Sequence, residues 1–119
     1  MAPTILVVDD DEHIRLLETK VLVREGYRVE QASNGQEAIE RLDADAYAAL
    51  VLDLMMPRAD GFDVLDHLAR TDPLMIRKTV IATAFPSEAK AKRLQEVCRV
   101  IVKPFDIQQL VDAVQACVQ

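Results

Sequence analysis

Four segments of the chain are apolar almost without interruption, a fifth alternates, and between them apolar residues return every three or four positions. Thr4–Val8 (Thr-Ile-Leu-Val-Val), residues 48–53 (Ala-Ala-Leu-Val-Leu-Asp) and Thr79–Thr83 (Thr-Val-Ile-Ala-Thr) read as strands covered on both faces. Residues 99–103 (Arg-Val-Ile-Val-Lys) read as another strand. Residues 27–32 (Tyr-Arg-Val-Glu-Gln-Ala) alternate more, as a strand nearer a sheet edge does.

The intervening stretches follow the helical period. Ile14, Leu17, Val21 and Leu22 form one stripe, with Arg15, Glu18, Lys20 and Arg24 between them on the polar side. Asp11 or a neighbour caps the start of that helix, and Gly26 ends it. Ser33-Asn34-Gly35 is a turn before a short helix over residues 36–42 that buries Ala38, Ile39 and Leu42; residues 43–47 are a link. A turn at Ala59-Asp60-Gly61 precedes a helix with Phe62, Leu65 and Leu68 inward, which stops before Pro73. Pro86 suits a first helical turn, and that helix is expected to run to about Val97. The last helix, from about Asp106, buries Ile107, Leu110, Val111, Val114 and Cys117. Strand and helix alternate five times, which predicts an α/β fold, a parallel sheet between two helical layers, as one domain over residues 1–119.

Charge and composition narrow the function. Half of the 119 residues are hydrophobic, enough for a packed core at this length, and the formal net charge is −6. An acidic chain lacks the basic face that direct nucleic-acid binding requires. No apolar run reaches the roughly 20 residues of a membrane span, and the first residues lack the pattern of a secretory leader. Cys98 and Cys117 read as small hydrophobic residues rather than a disulfide framework, which favours a reducing cytoplasm. His13 and His67 read as exposed helix residues.

Polar residues at the strand ends carry the chemistry. Asp9 and Asp10 follow the first strand, Asp53 ends the third, Thr83 the fourth, and Lys103 the fifth. In a parallel sheet all carboxyl ends share one edge, the edge where open α/β sheets bind ligands. Three carboxylates without histidine or cysteine partners make a hard-oxygen site suited to Mg²⁺. Lys103 supplies a point cation for a phosphoryl group, and Thr83 a hydroxyl donor. Asp53, a lone acid closing an apolar strand, is then set as a nucleophile that forms an acyl phosphate; being ionised, it requires no general base.

These residues resemble the receiver domain of two-component response regulators over essentially the whole chain. The resemblance rests on Ile5-Leu6-Val7-Val8-Asp9-Asp10, Asp53-Leu54-Met55-Met56-Pro57 with Gly61, Ala82-Thr83-Ala84, and Lys103-Pro104-Phe105. It implies a doubly wound (βα)5 three-layer sandwich of the flavodoxin-like type, with strand order 2-1-3-4-5. It implies that a histidine kinase or histidine phosphotransfer protein donates its phosphoryl group to Asp53. Mg²⁺, with Mn²⁺ able to stand in, would be held by Asp9, Asp10, Asp53 and the backbone carbonyl of Met55. Thr83 would be the switch hydroxyl and Lys103 the phosphate partner. The surface of the fourth helix, fifth strand and last helix would meet a downstream protein or a second copy. Lys90, Lys92, Arg93 and Arg99 make that region basic. The implied activity is a self-catalysed switch rather than enzymatic turnover.

The chain also departs from the family pattern. The aromatic residue common three positions before the lysine is Val100 here, and Glu96-Val97-Cys98-Arg99 replaces a customary Ala-Gly-Ala turn. The stretch from Thr83 to Lys103 is slightly short, which shortens the fourth helix or its exit. The drift at Val100 allows an alternative, a phosphorylation-independent interaction module on the same fold. A phosphohydrolase of the haloacid-dehalogenase type needs a second acid two residues after the nucleophile, where Met55 stands.

Met55 and Phe85, two positions after Asp53 and after Thr83, are bulky and apolar. They are expected to hinder a water attacking a phosphoryl group on Asp53. Replacing both with polar residues should speed loss of that group, followed by intact mass; an unchanged decay would remove the shielding account.

Overall fold

The computed structural model describes residues 2–56, 58–84 and 92–118. Its strands are β1 (Thr4–Val8), β2 (Arg28–Ala32), β3 (Ala49–Asp53), β4 (Thr79–Thr83) and β5 (Arg99–Val102). Its helices are α1 (Glu12–Arg24), α2 (Gly35–Ala44), α3 (Gly61–Thr71), α4 (Pro73–Ile76) and α5 (Ile107–Val118), with a 3-10 helix at Lys92–Gln95. The strands form one parallel sheet in the order β2-β1-β3-β4-β5. The helix expected from Pro86, the residue Lys90 and the side chain of Phe85 lie outside the described residues, as do the side chains of Lys92 and Arg93.

Period-two alternation explains why the central strands are apolar throughout. Leu6, Val8, Leu50, Leu52 and Ile81 point to one face and pack with Ala38, Val64, Leu65 and Leu68 of α2 and α3. Ile5, Val7, Ala49, Val51 and Val80 point to the other and pack with Val21 and Leu22 of α1 and Leu110, Val111 and Val114 of α5. β2, at the sheet edge, keeps the alternating pattern that its position requires.

Local chemistry sets the helix starts. Asp11 caps α1 by accepting from His13 N and Ile14 N. Asn34 caps α2, and Asp60 and Asp63 form a reciprocal capping box at α3. Gly26, at φ 97°, takes the left-handed position after α1. Arg58 and Ala59 also have positive φ, 52° and 62°, in the loop that follows Asp53. Gly35 N donates to Ala59 O across that loop at 3.0 Å, and a Cβ on Gly35 would collide with the same carbonyl. A Cβ on Gly61 would stand 2.6 Å from the backbone oxygen of Asp53 and 2.7 Å from Leu54 Cα.

Several expectations are corrected. The buried face of α1 is Glu18, Val21 and Leu22, while Leu17 is 50% exposed. Residues 18, 21 and 22 stand at i, i+3 and i+4, so they share a face; Leu17 lies on its flank. Ile107 is 44% exposed at the start of α5, and Ala113 is buried instead. His67 is partly covered and its Nε2 stands 2.7 Å from Asp43 Oδ1, tying α3 to α2. The single turn α4 continues the chain beyond α3 through Pro73. Cys98 and Cys117 are joined in a disulfide, with Cα atoms 5.9 Å apart, so they are not unpaired hydrophobic residues. That pairing removes the cysteine-based reason for placing the chain in a reducing compartment.

Glu18 is 1% exposed, and among the described residues its Oε2 has no hydrogen-bond partner. Burial, then the charge of Asp9, push its carboxyl up to about 8; Lys103 pulls the other way and Asp53 adds to the rise. A raised acid is protonated more readily in the folded chain than in the unfolded one. Its stabilising contribution is therefore complete below about pH 4.5 and is lost as pH climbs through about 8. Urea unfolding should show stability falling across that window, on the order of a few kcal/mol in all. Glu18→Gln should flatten the fall, and parallel wild-type and variant curves would refute it. Gly61→Ala should cost on the order of 2 kcal/mol in the same assay, because the new methyl displaces the Asp53–Leu54 backbone.

Candidate functional site

β1, β3, β4 and β5 all deliver polar groups to the carboxyl edge of the sheet. Asp9 follows β1 and is 1% exposed; Asp53 closes β3 and is 6% exposed. Two such buried carboxylates are costly unless positive or hydrogen-bonding groups meet them. Lys103 Nζ donates to Asp9 Oδ2 at 2.7 Å and stands 3.5 Å from Asp53 Oδ2. Asp9 Oδ1 accepts from Asp11 N at 2.9 Å, and Asp53 Oδ1 from Met55 N at 3.3 Å.

Lys103 is held from both ends. Its backbone N–H donates to Thr83 O at 2.8 Å, and the Lys103–Pro104 peptide bond is cis. Thr83 is fully buried at the end of β4, opposite Val102. Asp10 is exposed beside Asp9. One oxygen from each of Asp9, Asp10 and Asp53 can lie within 4.8 Å of the others, a separation that one cation can span. Met55 is in the loop after β3, with its side chain 47% exposed. All six residues singled out from the sequence therefore lie along this one edge.

The electrostatics follow from crowding. Burial raises the carboxyl of Asp53; Lys103 opposes the rise, Asp9 adds to it, Met55 N–H opposes it, and Asp10 adds a little. Burial alone would lower Lys103, but the hydrogen bond and charge of Asp9, then Asp53 and Glu18, outweigh it and leave the ammonium raised. The lysine is thus firmly charged, and the acids around it still outnumber it. Hard oxygen donors with surplus negative charge fit a divalent cation.

Two contributors were missed from the sequence. Arg15 Nη1 donates to Asp9 O at 2.8 Å and its Nε to Gln31 Oε1 at 3.0 Å, fixing the turn that carries Asp9. Its position four residues after the cap Asp11, back toward the strand end, was the available signal. Glu18 carried no signal, because a glutamate between apolar stripes reads as solvated. Beside the acids, Ile14, Leu17, Ala84, Lys103, Pro104 and Phe105 line a mainly apolar cleft of about 360 Å³.

Comparison with known proteins points to one family. The family model described as "Response regulator receiver domain" matches residues 5–115. The transcriptional regulatory protein SrrA of Staphylococcus aureus is 37% identical over 118 residues, which is 98% of this chain and 48% of that protein. The chain thus spans about half the length of the curated relatives it matches. The response regulator TrrA of Thermotoga maritima, solved in complex with Mg(2+)-BeF, superposes with a TM-score of 0.86 at 30% identity, covering 97% of each chain. The chemotaxis response regulator CheY4 of Vibrio cholerae gives a TM-score of 0.86 at 25% identity over 100% of both chains. With this fold and this match along nearly its full length, the chain belongs to the response regulator receiver domain family of two-component signal transduction.

Proposed function

We propose that the chain accepts a phosphoryl group on Asp53 from a phosphohistidine protein and changes its affinity for a partner as a result. The observation that carries this is the placing of Lys103 between Asp9 and Asp53, with Asp10 completing the acidic cluster. In transfer, an oxygen of Asp53 bonds to phosphorus and the phosphorus–nitrogen bond of the donor imidazole breaks, leaving the electron pair on nitrogen. Asp53 attacks as the carboxylate and needs no general base; burial raises its carboxyl, and Lys103 opposes that rise. Lys103 meets the charge of the transferred group, and Thr83 supplies a hydroxyl donor from β4. Asp9, Asp10, Asp53 and the Met55 carbonyl would hold Mg²⁺, or Mn²⁺ in its place. The ion would neutralise the gathering phosphoryl oxygens. TrrA, whose structure contains Mg(2+)-BeF, supports the choice of metal.

The donor would be a histidine kinase or histidine phosphotransfer protein. The apolar cleft beside Lys103 and the exposed Leu16 and Leu17 of α1 are suited to a helical donor surface. Output would run through β5, α5 and the segment before β5 to a downstream protein or a second copy. The exposed apolar side chains Val102 and Ile107 favour that surface. Cytoplasmic action, where such kinases present their histidines, fits the acidic chain; no helix among the described residues is long and apolar enough to cross a membrane.

Incubation with Mg²⁺ and acetyl phosphate should add one phosphoryl group by intact mass, and chelation should abolish the gain. Asp53→Ala should prevent it, and Lys103→Ala should slow it on the order of a hundredfold. No mass gain, or a gain that survives Asp53→Ala, would sink the proposal.

A further inference from the structure

The phosphoacceptor chemistry leaves one reactive pair unused. Cys98 immediately precedes β5, and Cys117 lies in the last turn of α5, 19 residues later. Their sulfurs are bonded. The two cysteines differ in access. Cys117 is 3% exposed within the core cluster of Ile5, Val7, Leu110 and Val114, whereas Cys98 is only half-buried. Cys98 also borders an open cleft of about 610 Å³ with Leu74, Arg77 and Glu96. A small thiol or disulfide therefore has a route to the Cys98 sulfur and none comparable to Cys117.

We propose that Cys98 and Cys117 form a reversible thiol–disulfide site, oxidised by low-molecular-weight disulfides and reduced by low-molecular-weight thiols, that clips the end of α5 to the start of β5. Oxidation begins when the Cys98 thiolate attacks a small disulfide RSSR. A Cys98–SR bond forms, and one RS⁻ leaves and takes up the proton that Cys98 gave up. The Cys117 thiolate then attacks the Cys98 sulfur and expels the second RS⁻, which takes up the Cys117 proton. Two protein thiols and one RSSR become one protein disulfide and two RSH; two electrons pass from the cysteines to the small disulfide. Reduction runs the same steps backward, and the entering thiol attacks Cys98, the accessible sulfur.

The location decides what the bond controls. Cys98 and Lys103 lie at opposite ends of β5, with the four residues of the strand between them. The clip is thus remote from Asp9 and Asp53 and acts on the seating of α5. Cys98 N is already tied to Thr79 O at 2.9 Å, so β5 is the anchored side and the last turn of α5 is the side that gains a tether. In a reducing compartment the pair would rest as thiols and bond under oxidative load.

The chain is equilibrated with glutathione and glutathione disulfide at graded ratios, quenched with N-ethylmaleimide and weighed intact. The expected result is a monomer that passes from two maleimide labels to none as the disulfide rises. Cys117→Ala should collect one glutathione adduct, and Cys98→Ala should collect several-fold less. Hydrogen exchange over residues 114–118 should slow at least several-fold in the oxidised chain, while acetyl-phosphate labelling of Asp53 stays unchanged. Two labels at every ratio, a bond that native-state thiols cannot open, a covalent dimer, equal adducts on both variants, or unchanged exchange would each overturn the proposal.

Discussion

The ammonium of Lys103 lies between Asp9 and Asp53 at 2.7 and 3.5 Å, and much of the carboxyl edge of the sheet is arranged around holding it there. Asp9 and Asp53 have little contact with water, so removing the lysine would leave buried charge without a counter-ion, a situation that costs several kcal/mol. One cation does not balance the cluster. Asp10 adds a third carboxylate, and Glu18 places a fourth carboxyl behind it, held neutral by burial up to about pH 8. The pocket is therefore stable enough to form and still short of positive charge, the condition in which a divalent cation or an incoming phosphoryl–metal pair is attracted.

Holding Lys103 constrains the topology. β5 is an edge strand and β1 is central, with β3 and β4 between them, yet Lys103 meets Asp9 across 94 residues of sequence. The stretch after β5 must turn back over the sheet edge for this to happen. Phe105 packs against the cluster built on Ile5 and Val7, which secures that return, and Lys103 N–H is tied to Thr83 O. On the other side of Asp53, Gly35 and Gly61 allow the β3–α3 loop to lie close to β3 and α2. Arg58 and Ala59 take left-handed geometry there, at a cost that the Gly35–Ala59 hydrogen bond helps offset.

The strands and the acids were legible because each announces itself locally. A run such as Leu50-Val51-Leu52-Asp53 specifies burial on both faces and then a charge at the exit, and no distant information is required. Sheet order was not local; it came from resemblance to a known family, and the fold and its structural relatives agree with it. α1 misled because two stripes overlap on it, an apolar one through Ile14, Leu17 and Val21 and the buried one through Glu18, Val21 and Leu22. Periodicity cannot tell which stripe is buried, because a glutamate reads as solvated until the charges of Asp9 and Lys103, just beyond β1 and β5, are known to lie near it. Cys98 and Cys117 were equally opaque, since only the docking of α5 on β5 brings their Cα atoms within 5.9 Å.

β5 is where these threads join. Its carboxyl end presents Lys103 to the acids, and its amino end holds Cys98. Val100, midway, stands where relatives commonly carry a large ring, and it packs against the cluster that includes Leu94, with Val97 beside it. A ring at this position can swing between two rotamers and report the state of a neighbouring hydroxyl; a valine has no such reach and is stiff at χ1. Under the proposed function, a signal leaving Asp53 through Thr83 would travel by displacement of the β4–β5 backbone, through contacts such as Lys103 N–H to Thr83 O, rather than by side-chain rotation. Backbone displacement of an edge strand is opposed by whatever is fastened to it. The covalent link from Cys98 to Cys117 fixes the last turn of α5 to the amino end of that strand, so under the proposed function the response at the β5–α5 surface would depend on the seating of α5 as well as on the chemistry at Asp53.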